Sequence, residues 1–255
     1  MLDICGIKFY TDGALGSNGA ALLEPYDDTK DFKGLMLLTE NELFEKCKKG
    51  IEKGFSIATH YIGDAASRLV LNTYKKLFDL KIHQNYPPIR VEHIQMLKPE
   101  DLRLFENYQI ISSVQPIHCL SDYNMAPKKI GERCSYSYRW KSLINAGSKV
   151  IAGSDLPIEY HNPLLGIDAF IKRKPKNADK SWYPEEIISP QEALEAYTKS
   201  PQEIFQNNNR GEVKVGNYAD FTILDKDITL NQEIVKAKVL ATICGGEVIY
   251  LDNQI

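Results

Sequence analysis

The sequence predicts an α/β protein organised around a largely parallel sheet, followed by a small all-β segment. Three observations lead there. β-rich apolar runs alternate with stretches of helical periodicity through most of the chain. The tail then changes to short strand-like runs separated by turn residues. Finally, four of the strand-like runs carry or end in a residue able to hold a metal or polarise water, namely Lys8, His60, His93 and Asp155.

The elements follow in order. A strand over 7–10 leads into a long Gly-bearing loop. A helix over 40–53 repeats Leu43, Phe44, Cys47 and Ile51 at helical spacing, and Thr39 before Glu40 and Glu42 suggests a capping box. Gly54 ends it, and 55–59 is the next strand. Asp64 is expected to cap a helix whose Leu69, Val70, Tyr74, Leu77 and Phe78 share a face. Pro87-Pro88 breaks the chain before a strand over 89–93. Pro99 starts a helix carrying Leu102, Leu104 and Phe105. A strand over 110–114 precedes a long polar loop through Met125 and Gly131. A helix over 138–146 stops at Gly147 before a strand over 150–153, and Ser189-Pro190 opens a helix running on to Ile204 and Phe205. The tail reads as short strands at 211–216, 219–224 and within 239–251.

Five parallel-type strands are too few for a closed (β/α)₈ barrel, although the length would accommodate one. The expected architecture is therefore a partial TIM-type barrel, comprising about the last five βα units, over 1–206. A C-terminal β-sandwich appendage, half of a composite sandwich, is expected over 207–255.

Composition narrows the function classes. With 43% apolar and 25% charged residues the chain is globular, so disorder is not the default. A net charge of -3 and a pI near 6.0 give no general attraction for nucleic acid or anionic lipid. Basic stretches at 46–53 and at Lys172-Arg173-Lys174 read as solvated faces. Five scattered cysteines without a C-x-x-C spacing point to free thiols in a reducing compartment, not to a disulfide framework or a cysteine zinc site. The opening residues do not read as a signal peptide, and no apolar run reaches bilayer length. The expectation is a soluble cytoplasmic protein.

In a parallel barrel the strand ends converge on one face, where active sites lie. His60 and His93 each follow an apolar β-run, and imidazoles from separate strands can share one zinc. The plainer reading is two core histidines bonded to backbone. Asp155, in Gly153-Ser154-Asp155-Leu156-Pro157, can ligate a metal and accept the proton of an attacking water, or simply form a turn. Lys8 within a strand becomes an anionic bridging ligand if carboxylated; unmodified, it would pair with Asp12. The glycines of 12–20 lack the dinucleotide-binding spacing and no helix start follows. They instead let the loop pass close to a substrate or metal, which makes Asp12 and Gly13 candidate substrate contacts. His118 lies just past a strand end and is a further candidate substrate contact, while His83 and His161 are assigned to the surface.

The run Gly6 through Ser17, then Ala58-Thr59-His60-Tyr61-Ile62-Gly63-Asp64, Glu92-His93-Ile94-Gln95, Gln115-Pro116-Ile117-His118, Gly153 through Pro157 with Asn162-Pro163-Leu164, and the tail from Gly211 with Gly245-Gly246 resemble amidohydrolase family 3. That group includes N-substituted formamide deformylase-like enzymes. The resemblance implies a TIM barrel with an appended β-sandwich and one or two divalent metals, usually zinc, acting on a small-molecule substrate with a non-peptide amide C–N bond. It also implies that Lys8 is the bridging carboxylated lysine, that His60 and His93 hold one metal, and that Asp155 ligates the other and shuttles the proton. The His-x-His pair of the family's first barrel strand has no counterpart here, and Asn18 and Tyr61 depart from the family pattern. The chain thus resembles the C-terminal half of such an enzyme, with one metal site intact and the second incomplete. The rival expectation is a non-catalytic remnant or interaction module. Open sheet edges favour association, with a further copy or with a complementing N-terminal half.

Overall fold

A computed structural model describes residues 4–82, 88–204, 209–230 and 233–253. The Pro87 break, His83, Phe205, the asparagines at 207 and 208, and the expected domain boundary at 206/207 lie outside the described residues. The chain divides into two compact units, Met1–Val114 with His118–Val150, and Gln115–Ile117 with Ile151–Ile255.

The first unit is α/β with a parallel sheet. Strands β1 (Gly6–Tyr10), β2 (Ser56–Tyr61), β3 (Ile89–His93) and β4 (Ile111–Val114) are neighbours in chain order, every pair parallel. Every residue of β2 is buried, as the centre of such a sheet requires. The register sets Tyr10 beside His60 and His60 beside Glu92. By the two-residue alternation of a strand, Lys8, Tyr10, Ala58, His60, Arg90 and Glu92 share one face. Helices cover the other: Tyr74 Oη donates to the Arg90 carbonyl (2.9 Å) and accepts from the Thr59 hydroxyl (2.7 Å).

Helix α1 (Glu40–Glu52) has the expected capping box, with Thr39 N donating to Glu42 at 2.8 Å, and buries Leu43, Cys47 and Ile51. Helix α2 (Asp64–Asp79) buries Val70, Leu71, Tyr74 and Leu77, each worth about 1.5–3 kcal/mol of transfer free energy if aliphatic. Asp64 does not cap it. Its carboxylate instead accepts from Leu23 N (2.9 Å) and Tyr136 Oη (3.2 Å), tying the long loop and a later segment to the helix start. A 3₁₀ turn (Pro99–Asp101) and α3 (Arg103–Asn107) follow. The stretch expected to be a polar loop is largely helical: α4 (Pro116–Asp122), α5 (Ala126–Ile130) and a 3₁₀ segment (Gly131–Tyr136), with Cys119, Ala126, Ile130 and Cys134 buried. Short turns hide their periodicity, because each contributes only one or two apolar residues. Helix α6 (Trp140–Asn145) leads to β5 (Val150–Ala152), at which the two units divide; Ser112 N donates to Lys149 O at 2.9 Å.

In the second unit, Asn162 caps α7 (Pro163–Lys172), its Oδ1 accepting from Leu164 N at 3.0 Å. This helix is not among those the sequence pattern predicts. Ser189 and Glu192 form the capping box of α8 (Pro190–Tyr197), followed by α9 (Lys199–Ile204). Arg173, expected on a solvated face, is fully buried and donates from Nε to the Trp182 carbonyl at 2.6 Å. The tail forms an antiparallel sheet, β6 (Phe221–Leu224), β7 (Val239–Cys244) and β8 (Glu247–Leu251). Gly245 and Gly246, both at positive φ, make the tight β7–β8 turn. The expected strand at 211–216 does not form; Val213 and Val215 are exposed and unpaired in any ladder. Val248, Ile249, Tyr250 and Leu251 expose both faces of β8.

Candidate functional site

The ends of β1, β2 and β3 bring aromatic and imidazole rings together. The His60 and His93 ring centroids are 4.5 Å apart and nearly perpendicular, and the Tyr10 ring lies 5.0 Å from His60 on its other side. Both histidines are buried. Regular alternation would aim His93 toward the helices, because its register partner is Tyr61, one residue past His60. The backbone corrects this. His93 and Ile94 both adopt positive φ (75° and 50°), which breaks the alternation at the strand end and accompanies the approach of the two rings. Such a conformation in a non-glycine pair is costly and tends to persist at functional sites.

Asp12 braces this arrangement. Its buried carboxylate accepts from Ala21 N (3.0 Å), Ile62 N (3.0 Å) and Gly63 N (2.8 Å). Oδ1 also lies 3.4 Å from His60 Nε2. Both oxygens thus accept from backbone N–H groups, joining the Gly-bearing loop to the segment after β2. Gly13 is structural as well: its N–H donates to Gly19 O (3.0 Å), and a Cβ there would sit 3.2 Å from Gly19 Cα. No helix follows this loop before α1.

Lys8 is exposed on the same sheet face, its ammonium 5.0 Å from the Tyr10 ring centroid. Arg90 Nε pairs with Glu92 Oε1 at 2.6 Å on that face. His118, buried on α4, stacks on His93 with centroids 5.9 Å apart and planes at 16°. Its Nδ1 lies 3.4 Å from Gln95 Nε2. Asp155 belongs to the second unit, half-buried after β5 at φ 57°, with its carbonyl accepting from Ile158 N. His161 is exposed, as expected. Tyr10 and Gln95 are the site residues that sequence reasoning passed over. Tyr10 is two residues from Lys8 and so was accessible to strand alternation, whereas the positive φ values at 93 and 94 remove any periodicity that would place Gln95.

The fit of this donor set to a divalent cation starts from the His60 ring. Among the described residues, neither ring nitrogen of His60 has a hydrogen-bond partner, although the ring is buried. An orphaned imidazole of this kind is costly unless something ligates it. Two imidazoles sharing one zinc at about 2.0–2.1 Å have centroids roughly 5 Å apart, close to the spacing seen. The Asp12 carboxylate beside His60 resembles the outer carboxylate that orients ligating imidazoles. Two histidines fit a metal but supply half of a tetrahedral shell. Among the described residues no group of three or more His, Cys, Asp or Glu is gathered for a metal.

A family profile described as "Amidohydrolase family" matches residues 1–250. The chain belongs to that family. The chain is 35% identical to Protein LONG AFTER FAR-RED 3 of Arabidopsis thaliana over 96% of this chain and 42% of that protein. It is 31% identical to the putative amidohydrolase YtcJ of Bacillus subtilis (strain 168), over 96% and 46% respectively. Among solved structures, it is similar to an uncharacterized metal-dependent hydrolase from Pyrococcus furiosus, with 28% identity and a TM-score of 0.77 over 89% of this chain and 45% of that one. This amidohydrolase-family chain therefore spans less than half the length of the curated relatives it matches. No helix among the described residues is long and apolar enough to cross a membrane.

Proposed function

We propose that this chain carries the imidazole pair of a metal-dependent amidohydrolase centre, which cleaves a non-peptide amide C–N bond in a small-molecule substrate. The single observation that supports this most is the buried His60–His93 pair, with His60 lacking any hydrogen-bond partner among the described residues. Zinc is the metal we favour for two imidazoles from separate strands. When bound, it supplies Lewis acidity toward the amide carbonyl and the attacking water. His60 and His93 would hold it, and Lys8, if carboxylated, would add an anionic donor. Asp155 is the carboxylate we assign to proton transfer, which would accept a proton from the attacking water and pass it to the leaving nitrogen. His118 contacts the substrate.

The parallel sheet is read as part of a TIM-type barrel, and β6–β8 as half of a sandwich. The exposed faces of β8 support that reading, as does the place of β1 at the sheet edge, with no outer partner among the described residues. The remaining donors then come from a complementing part, matching the rest of the relatives' length, whether continuous with this chain or separate. The same exposed β8 surface supports a second reading, a non-catalytic module that associates through its sheet edges.

Hydrolysis of a panel of N-substituted formamides and related amides, by this chain with and without a polypeptide corresponding to the first half of the relatives, separates the two. Zinc-dependent amine release that appears on complementation supports the hydrolase. Complex formation without turnover of any amide supports the module.

A further inference from the structure

The geometry points to Gln95 as a positioning residue that holds His118 in a single tautomer, with its proton on Nε2. The side-chain nitrogen of Gln95, not its oxygen, faces His118 Nδ1 at 3.4 Å. An amide nitrogen only donates, so Nδ1 offers its lone pair and the ring proton sits on Nε2. Both side chains are buried, with relative exposures of 6% and 8%, so bulk water competes little for either atom.

The main chain at Gln95 is held on both sides: its backbone carbonyl accepts from Tyr138 N at 2.9 Å, and the next residue, Met96, donates its N–H to Ile62 O at 3.0 Å. Tyr138 Oη in turn donates to Asp122 Oδ2 at 2.5 Å. Asp122 stands one helical turn after His118 on α4. The 95–138 pair thus grips this helix at two successive turns, once through the Gln95 amide and once through the Tyr138 hydroxyl. The outcome is an N–H donor on an imidazole stacked against His93. A donor there suits a carbonyl oxygen, and the negative charge that builds on it during attack, better than it suits a cation. This functional step rests on the reading of His60 and His93 as the reacting centre; the tautomer does not.

The test uses the full chain labelled with ¹⁵N-histidine and a long-range ¹H–¹⁵N correlation spectrum, with the His118 signals assigned by their loss in His118→Gln. The expected result is a non-protonated Nδ1 and a protonated Nε2. Gln95→Glu replaces the donor by an acceptor and is expected to bring the proton to Nδ1. Should that variant not fold, Gln95→Met removes the donor at nearly constant volume and is expected to average the two tautomers. A wild-type His118 protonated on Nδ1, or a variant spectrum identical to wild type, overturns the proposal. Zinc added to the same sample reads the other reading separately: unmoved His60 and His93 resonances count against the metal pair while leaving the tautomer result intact.

Discussion

Replacing Asp12 should loosen both segments that meet at the imidazole pair. Its carboxylate accepts three backbone N–H groups, from Ala21, Ile62 and Gly63, all buried. Each stranded buried N–H costs about 1–3 kcal/mol, and bonds to a charged acceptor lie toward the upper end. Asp12→Ala strands all three, although water entering the vacated volume recovers part, so a loss of roughly 3–5 kcal/mol is expected. Asp12→Asn keeps one acceptor oxygen and turns an amide toward at least one donor, giving about 2–3 kcal/mol. Against a total stability on the order of 5–15 kcal/mol, either change is large. Amide hydrogen exchange reads it locally. In Asp12→Asn the Ala21, Ile62 and Gly63 amides should exchange about 30- to 140-fold faster, since 1.4 kcal/mol is a factor of ten. Wild-type exchange at all three amides, with an unmoved urea midpoint, would refute the argument that this carboxylate ties the loops.

Two further outcomes follow from the buried thiols and the first helix cap. Cys5 and Cys244 are exposed while Cys47, Cys119 and Cys134 are buried, and burial pushes the Cys47 and Cys134 thiols up to about 12. A thiol reagent at pH 8 should therefore modify two cysteines quickly in the native chain and all five after denaturation; a third fast thiol contradicts the packing. The Thr39 backbone N–H, then its hydroxyl, hold the Glu42 carboxyl below its usual value. A lowered folded pKa means the cap's stabilisation is present above the ordinary glutamate pKa of about 4.3 and lost as pH falls through the lower folded value. A carboxyl NMR titration should show Glu42 depressed in the wild type and less depressed in Thr39→Ala, which keeps the backbone N–H and loses the hydroxyl; equal titration in both would remove the hydroxyl from the account.

Much of this architecture was legible because apolar content and local caps agreed with the final packing. The buried β2 strand, the Thr39–Glu42 and Ser189–Glu192 boxes and the Gly245-Gly246 turn all announce themselves within a few residues. What escaped depends on contacts distant in sequence or on unusual backbone. Asp64 looks like a cap until Leu23 N, 41 residues away, takes its carboxylate. Asp12 reads from its Gly-rich loop as a candidate substrate contact, and nothing local announces the Ile62 and Gly63 amides, some fifty residues away, that converge on it. Arg173 sits in a basic triplet that reads as surface, yet its left-handed backbone (φ 44°) and the Trp182 carbonyl accompany its burial. The helical turns of α4 and α5 are too short for periodicity to reveal. His60 was placed by its strand; the meeting of His60 with His93 was foreseeable as convergence of strand ends, but the positive φ that accompanies it was not.

The central claim is that the His60 and His93 imidazoles together hold a divalent metal, and a zinc titration followed by calorimetry tests it most directly. One zinc per chain is expected for the wild type, with affinity falling by a factor of ten or more in His60→Ala and in His93→Ala, each checked for native folding by circular dichroism. Binding of equal strength in the wild type and both variants, or no binding to any of them, would contradict it.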